Sequence, residues 1–382
     1  MSVYLDYNAS APLDGRVLDC MIDVYRNHVG NADSRTHSHG KDTRNIVENA
    51  RKQAAHLLGI ASDEVFFTSG STESNNIALQ GLREYAYESG KKHIITTAIE
   101  HKAVIETVKY LERQGFEVDV ISPGLSGRVD EEEILNRVTD QTLVVSVMHV
   151  NNETGIIQPV QEIGEELQKK NVLFHVDATQ SCGKLVEEIR KLKYTMLSFS
   201  AHKLMGPQGV GGLILRKTAY KLPPVKQIMY GGQQEHGIRP GTVPVALVAG
   251  CGKACELAET EYLADYDHAK KIKNRLLSLL DESGLAYKLN GDQAYCVPHT
   301  LNICMDGVSS EALMISAKQL CSISNGSACT SKNYDPSYVL TSMGIPRDQI
   351  ESSVRISWGR NTNEDEMMNS FRMVLDIAKQ LK

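Results

Sequence analysis

The chain has 382 residues, 41% of them hydrophobic and 23% charged, and carries a formal net charge of −6. That is the composition of a soluble globular protein long enough for one large domain and one small one. The acidic balance argues against a nucleic-acid-binding surface, and no apolar run reaches the length of a membrane span.

The N-terminus, Met1 to Asp6, lacks the charged and apolar regions of a signal peptide, so the expected location is cytoplasmic. Tyr4 to Pro12 reads as an extended arm ending in a turn, and helical periodicity follows through Val17 to Ile22. A polar loop spans Gly30 to Gly40. Its His37-x-His39 pair has no Cys, Asp or Glu completing a ligand set at standard spacing, so no metal is expected.

Short apolar runs then alternate with amphipathic stretches. The runs are Val65 to Thr68, His93 to Thr96, Val118 to Ile121, Leu143 to Met148, Val172 to Val176, Met196 to Phe199 and Gly212 to Leu215. Between them lie helical patterns such as Asn75 to Tyr87, Ala103 to Arg113 and Val160 to Lys169. This alternation predicts an α/β fold, a mainly parallel seven-stranded sheet sandwiched by helices. A proline-free helical stretch from Ala246 to about Asp281 leads to a small C-terminal α/β domain. The expected division is an arm over 1–14 packing with the small domain, a large domain over 15–260 and the small domain over 261–382.

In open α/β sheets ligands sit beyond the carboxyl ends of the strands. Here those ends carry Thr68-Ser69-Gly70-Ser71-Thr72, Glu100-His101, Asn151-Asn152-Glu153, Asp177-Ala178-Thr179-Gln180 and Ser200-Ala201-His202-Lys203. Singly, each is an ordinary cap or turn, and Lys203 could simply snorkel to water. Together they place an acid, an imidazole, amides, hydroxyls and a lysine at one edge of one sheet. A desolvated lysine suits a Schiff base, a helix N-terminus suits phosphate, and Asp177 suits a pyridinium nitrogen. The set meets the needs of pyridoxal 5'-phosphate.

The eight cysteines form no CxxC pair, which excludes a zinc ribbon or a thioredoxin-like motif. Cys329 stands apart from the rest in a small polar segment, Ser324 to Lys332, and reads as either a role-less loop cysteine or an exposed nucleophilic thiol. Arg355, in the strand-like Ser353 to Trp358, implies a carboxylate partner from the protein or from a substrate.

Taken in order, Tyr4-Leu5-Asp6-Tyr7, Phe67 to Ser74, Glu100-His101-Lys102, Met148 to Glu153, His175 to Gln180, Ser200 to Lys203 and Gly326 to Ser331 resemble the cysteine desulfurases of the NifS/IscS group. These are fold-type I pyridoxal phosphate enzymes. The resemblance implies that Lys203 carries the cofactor and shuttles protons, Asp177 pairs with the ring nitrogen, and His101 stacks on the ring and assists proton transfer. It further implies that Gln180 bonds the phenolic oxygen and that Asn152 lies near cofactor and substrate. Ser71, Thr72, Ser200 and His202 would hold the phosphate, joined by Thr242 from the partner subunit of a homodimer. Arg355 would clamp the α-carboxylate of L-cysteine, and Cys329 would take the sulfur as a persulfide, leaving L-alanine. A protein acceptor would receive the sulfur next, with no direct nucleic-acid contact.

Two features depart from the group: Arg239-Pro240-Gly241-Thr242 where relatives often have serine for Pro240, and His236 in place of arginine. The stop at Lys382, without the extension of housekeeping members, points to a specialised donor, for DNA phosphorothioation or else iron–sulfur assembly. The competing readings are an aminotransferase or cysteine β-lyase on the same cofactor, and a non-catalytic sulfur-carrier subunit.

Overall fold

The computed structural model describes residues 2–326 and 336–382. Cys329 therefore lies outside the described residues. The strands are β1 (Val3–Tyr4), β2 (Val65–Thr68), β3 (His93–Thr97), β4 (Glu117–Ile121), β5 (Thr142–Met148), β6 (Leu173–Asp177), β7 (Met196–Ser200), β8 (Gly211–Leu215), β9 (Tyr287–Leu289), β10 (Thr300–Met305), β11 (Cys321–Ser322) and β12 (Ser353–Ser357). The helices before the small sheet are α1 (Gly15–Asn27), α2 (Ser38–Leu58), α3 (Ser71–Gln80), α4 (Arg83–Ser89), α5 (Lys102–Arg113), α6 (Glu131–Asn136), α7 (Val160–Lys170), α8 (Val186–Lys191) and α9 (Val245–Ser283).

The seven expected runs form one sheet in the order β2-β8-β7-β6-β5-β3-β4. The pairs from β7 through β4 are parallel, while β8 runs antiparallel to both β2 and β7. Every residue of β2, β3, β5, β7 and β8 is buried, as a sheet covered on both faces requires. One face packs on α2, α7, α8 and the first half of α9, and the other on α3 and α5.

Two local differences from the sequence expectation have physical causes. The helix expected over Asn75 to Tyr87 is two helices, because the Gly81 carbonyl turns to accept the Lys226 N–H at 2.9 Å. A Cβ on Gly81 would lie 2.6 Å from the Lys226 oxygen. The polar loop of Gly30 to Gly40 ends early, since His37 caps α2: its Nδ1 accepts the Gly40 N–H at 3.1 Å.

Helix α9 runs 39 residues, roughly 58 Å at 1.5 Å per residue. Its first half, Val248 to Ala258, belongs to the core of the large sheet. Its second half, Ala269 to Leu280, packs in a separate core with β10, β12 and the C-terminal helix Glu364–Leu381. That second core carries the antiparallel sheet β12-β10-β9. The arm joins it directly, with β1 pairing parallel to β11 and the Tyr7 N–H reaching the Ser357 carbonyl. Among the described residues, no helix is long and apolar enough to cross a membrane.

One buried ion pair fixes the turn that leads to α9. Arg51 of α2 forks onto Glu235 at 2.7 and 2.8 Å, and the Phe67 N–H donates to the same carboxylate at 2.8 Å. Glu235 and His236 both adopt left-handed backbone, φ 47° and 55°, which the pair holds in place. Arg51→Met leaves the Glu235 carboxylate buried without its cation. The expected loss is about 3–5 kcal/mol of unfolding free energy, read from denaturant midpoints.

Candidate active site

The carboxyl ends of β6, β7, β5 and β3 converge on one side of the sheet, as strand ends in such folds do around a ligand. Asp177 closes β6 and is 3% exposed. Its Oδ2 accepts from Asn75 Nδ2 at 2.8 Å, and its Oδ1 takes the N–H of Thr179 at 3.0 Å and that residue's hydroxyl. Both oxygens are thus held in place by donors.

Lys203 ends the short turn Ala201–Lys203 that follows β7. Its Nζ donates to the carbonyls of Asn8 at 2.5 Å and Ala9 at 2.6 Å, so the arm and the strand end meet on one ammonium. Gln180 Nε2 donates to the same Asn8 carbonyl at 2.9 Å, which ties the β6 turn to the same point.

His101 is the N-cap of α5, its Nδ1 accepting the Ala103 N–H at 3.1 Å. That bond puts the proton of the neutral ring on Nε2. The ring has an exposed edge, yet the protein around it lowers its pKa. Desolvation is the main cause, Lys203 and Lys102 add to it, and Asp177 opposes it. His202 is held down to about 4 by burial, with Lys203 and Lys184 contributing.

The turn from β2 into α3 has the features of an anion cradle. No side chain caps α3, and the Ser71 N–H and hydroxyl both meet Ser200 Oγ, at 2.8 and 3.2 Å. Gly70 has φ 146°, and Gly211 packs against it so closely that a Cβ there would lie 2.8 Å from the Gly70 Cα. Only glycines allow this approach of two backbones. Thr72 and His101 line one concavity beside the cradle.

The residues present fit pyridoxal phosphate. Gln180 Oε1, Asn152 Oδ1 and Asn75 Oδ1 are buried without partners among the described residues, as expected where a polar ligand completes the bonding. A lysine, a fixed carboxylate and an uncapped helix N-terminus accompany them.

Arg355, on β12, is 4% exposed and holds Asp6 Oδ1 at 2.6 Å and the Asn152 carbonyl at 3.0 Å. The carboxylate partner expected for this arginine is thus one of the arm's own. Its Nε is buried and unpartnered. Thr242 sits in an exposed stretch; the neighbouring Arg239 donates to Glu73 of α3 at 3.0 Å. The structure brings together Lys203, Asp177, Gln180, His101, Ser71, Ser200 and Asn152; Thr242 lies between Gly241 and Val243, which line a concavity with Thr68 and Ser69.

Sequence reasoning missed Asn8, Asn75 and Asp6, which position Lys203, Asp177 and Arg355. Asn75 was adjacent to the quoted Ser71 run, whereas Asn8 and Asp6 gave only an arm-like pattern. Glu100, quoted at a strand end but given no role, is fully buried after β3 and accepts from Thr97 Oγ1 at 2.7 Å and the Met148 N–H at 2.8 Å. Burial lifts its pKa to about 8.

Buried ionisable groups set an acid limit to stability. Burial holds His149 and His175 near 4 and pushes His299 well below 6.5. The unfolded chain takes up these protons below 6.5 and the folded one refuses them. The stability they provide above that pH is therefore lost as pH falls towards 4. Burial raises Glu100 and Glu153, which act in the opposite sense. With His101 and His202, whose pKa values are also lowered, five histidines oppose two glutamates. Unfolding free energy is therefore expected to fall as the pH drops from 6.5 towards 4.5. Denaturant midpoints at successive pH values measure it, and a flat profile would contradict it.

Comparison with known proteins adds the following. The profile of the aminotransferase class-V family matches residues 3–369. A cysteine desulfurase IscS of Vibrio cholerae serotype O1 is 41% identical over 385 residues, covering 100% of this chain and 94% of that protein. A solved NifS-like protein superposes with a TM-score of 0.91 at 36% identity, covering 100% of both chains. The crystal structure of DndA from Streptomyces lividans superposes with a TM-score of 0.81 at 41% identity, covering 93% of this chain and 99% of that one.

Proposed function

The chain belongs to the aminotransferase class-V family and is a pyridoxal phosphate-dependent cysteine desulfurase, and within that activity we propose the following division of labour among its residues. The observation that carries it is the meeting of Lys203, Asp177 and Gln180 around the arm carbonyls, with unpartnered amide oxygens beside them.

When bound, the cofactor supplies an electron sink for cleavage at the substrate's Cα. Lys203 Nζ holds the cofactor and then moves the Cα proton, leaving its two arm carbonyls to do so. Asp177, fixed by Asn75 and Thr179, would pair with the ring nitrogen of the bound cofactor. Ser71, Thr72, Ser200, His202 and the open N-terminus of α3 take the phosphate. Gln180 and Asn152 would orient the ring and substrate, each having an amide oxygen without a partner among the described residues to accept a hydrogen bond. His101, whose pKa is lowered by burial, would be neutral at physiological pH, donate from Nε2 and stack on the bound cofactor's ring. Arg355 presents its unclaimed N–H donors to the α-carboxylate of L-cysteine.

The Cys329 thiolate then attacks the substrate sulfur. A new S–S bond forms, the Cβ–S bond breaks, and its electron pair returns to the substrate carbon, which is protonated to give alanine. Thr242, exposed in its own chain, serves the site of a second copy in a homodimer. Tyr220 and Tyr230, 97% and 83% exposed, are apolar surface that such an association would cover. The chain divides into an arm over 1–14 that packs with the small domain, a large domain over 15–260 and a small domain over 261–382. The cytoplasm is the site of action. The sulfur passes to a protein acceptor, in DNA phosphorothioation or iron–sulfur assembly; the net charge of −6 speaks against direct contact with DNA.

Incubation of the cofactor-loaded protein with L-cysteine tests this reading. Alanine and a persulfide mapped to Cys329 by mass spectrometry are expected. Pyruvate with free sulfide would instead establish a β-lyase, and no turnover with intact cofactor a carrier subunit.

A further inference from the structure

Glu153 is a buried carboxylate, 1% exposed, next to Asn152 in the turn after β5. Its backbone is fixed on both sides. The Glu153 N–H donates to Asn151 Oδ1 at 2.9 Å, and its carbonyl accepts from Asn302 Nδ2 at 3.1 Å. From that fixed point the side chain meets two residues far along the chain, Gly326 and Ser337. Gly326 precedes Cys329 by three residues and Ser337 follows it by eight.

The contact with Gly326 is one of close approach. Gly326 has φ 84°, and a Cβ placed there would lie 2.5 Å from Glu153 Oε2. Only glycine allows the carboxylate so near the backbone. Just before it, Ser324 exchanges two backbone hydrogen bonds with Arg355, at 3.1 and 2.5 Å, and its Oγ accepts the Gly326 N–H at 3.1 Å. The contact with Ser337 is a hydrogen bond, the hydroxyl donating to the same Oε2 at 2.5 Å. That hydroxyl also accepts the Leu340 N–H at 3.1 Å and so caps the helix Tyr338–Ser342. The Tyr338 hydroxyl in turn donates to the Glu100 carbonyl at 2.7 Å. One carboxylate oxygen therefore meets residues on both sides of Cys329. It does so one residue from Asn152, whose carbonyl holds Arg355 at 3.0 Å.

We propose that Glu153 is a positioning residue for sulfur transfer, which rests on the assignment of Cys329 as the sulfur acceptor. It acts by holding Gly326 and Ser337 against the Asn152–Arg355 end of the site. Chain connectivity lets the Cys329 Cα lie no more than about 11 Å from that of Gly326, so the place of Gly326 bounds where the thiol can reach. A misplacement of about 1 Å at a reacting centre can cost roughly a hundredfold in rate. The acceptor oxygen matters more than its charge. Burial raises the Glu153 pKa, against the opposing effects of Ser337, Arg355 and Lys102. A glutamine, which keeps an oxygen in place, should serve.

Single-turnover mixing of cofactor-loaded protein with L-cysteine reads the two halves of the reaction apart. The spectral response of the bound cofactor follows the Cα chemistry, and the mass of the Cys329 persulfide in quenched samples follows sulfur transfer. Glu153→Ala is expected to keep the spectral response within about twofold and to slow persulfide formation at least tenfold. Glu153→Gln should restore that rate to within about threefold of the unaltered protein. Ser337→Ala removes the same hydrogen bond from the other side, which keeps a readout if Glu153→Ala does not fold. The double variant should be no slower than the slower single one. Equal loss of both signals in the alanine variants, no loss in either, failure of glutamine to restore transfer, or compounding in the double variant would each overturn the proposal. Absence of a Cys329 persulfide in the unaltered protein would instead defeat the assignment of Cys329, and the proposal with it.

Discussion

Lys203→Ala is expected to reduce alanine formation from L-cysteine by on the order of a thousandfold or more, since both covalent attachment and proton transfer are lost with one amine. The structure suggests that the variant still folds. Lys203 is only part-buried, and its two hydrogen bonds go to carbonyls of an arm that is otherwise fixed by β1, by Asp6 on Arg355 and by Asn8 on Thr300 Oγ1 at 2.9 Å. The phosphate cradle is also untouched, so the cofactor should still bind, but reversibly. Borohydride followed by denaturation should leave the cofactor attached to the unaltered protein and free in the variant. A variant that kept its activity, or kept a borohydride-fixed cofactor, would place the covalent bond on another lysine. Lys184 is the one to examine first, because its pKa is lowered to about 7.

Cys329→Ser separates the two halves of the reaction. A hydroxyl is roughly five pKa units or more from the ionised nucleophile that a thiol supplies near neutrality, so sulfur transfer should fall by on the order of a thousandfold. Substrate binding and Cα deprotonation depend on Arg355, Asp177 and Lys203 and should survive. The expected pattern is an unaltered spectral response of the bound cofactor to L-cysteine, with almost no alanine and no persulfide. Undiminished alanine in the variant would defeat the assignment of Cys329 and favour β-elimination.

The inner strands were legible because they are covered on both faces and so appear as continuous apolar runs; the half-exposed edge strand β4 was located from a run interrupted by Asp119. The residues at their carboxyl ends were legible for a related reason. Polar clusters at the ends of buried strands have few purely structural uses when five of them occur on one edge. What escaped the sequence were partners distant along the chain. Arg355 signals a carboxylate, but nothing near it indicates Asp6, and Lys203 gives no hint of the Asn8 carbonyl. The helix break at Gly81 depends on the Lys226 N–H, which is supplied from far downstream. His37 was read as half of an incomplete metal pair when its role in the described structure is to cap α2, a task more often given to Ser, Thr, Asp or Asn. Local pattern identifies elements; it does not identify which loop supplies the last hydrogen bond.

The arm has a consequence for how the chain matures. Asn8 and Asp6 bond to Ser357 and Arg355, each 349 residues away in sequence. The same few arm residues provide the carbonyls that hold Lys203. During synthesis the arm emerges first, yet its binding place on β12 is made nearly last. The large sheet can form on the ribosome, while the catalytic lysine waits for β12 to emerge. Contacts of such separation carry the full cost of closing the chain and form late in folding. Cofactor capture should therefore be a post-translational event, and nascent chains released before β12 should be stable enough to persist but unable to become yellow.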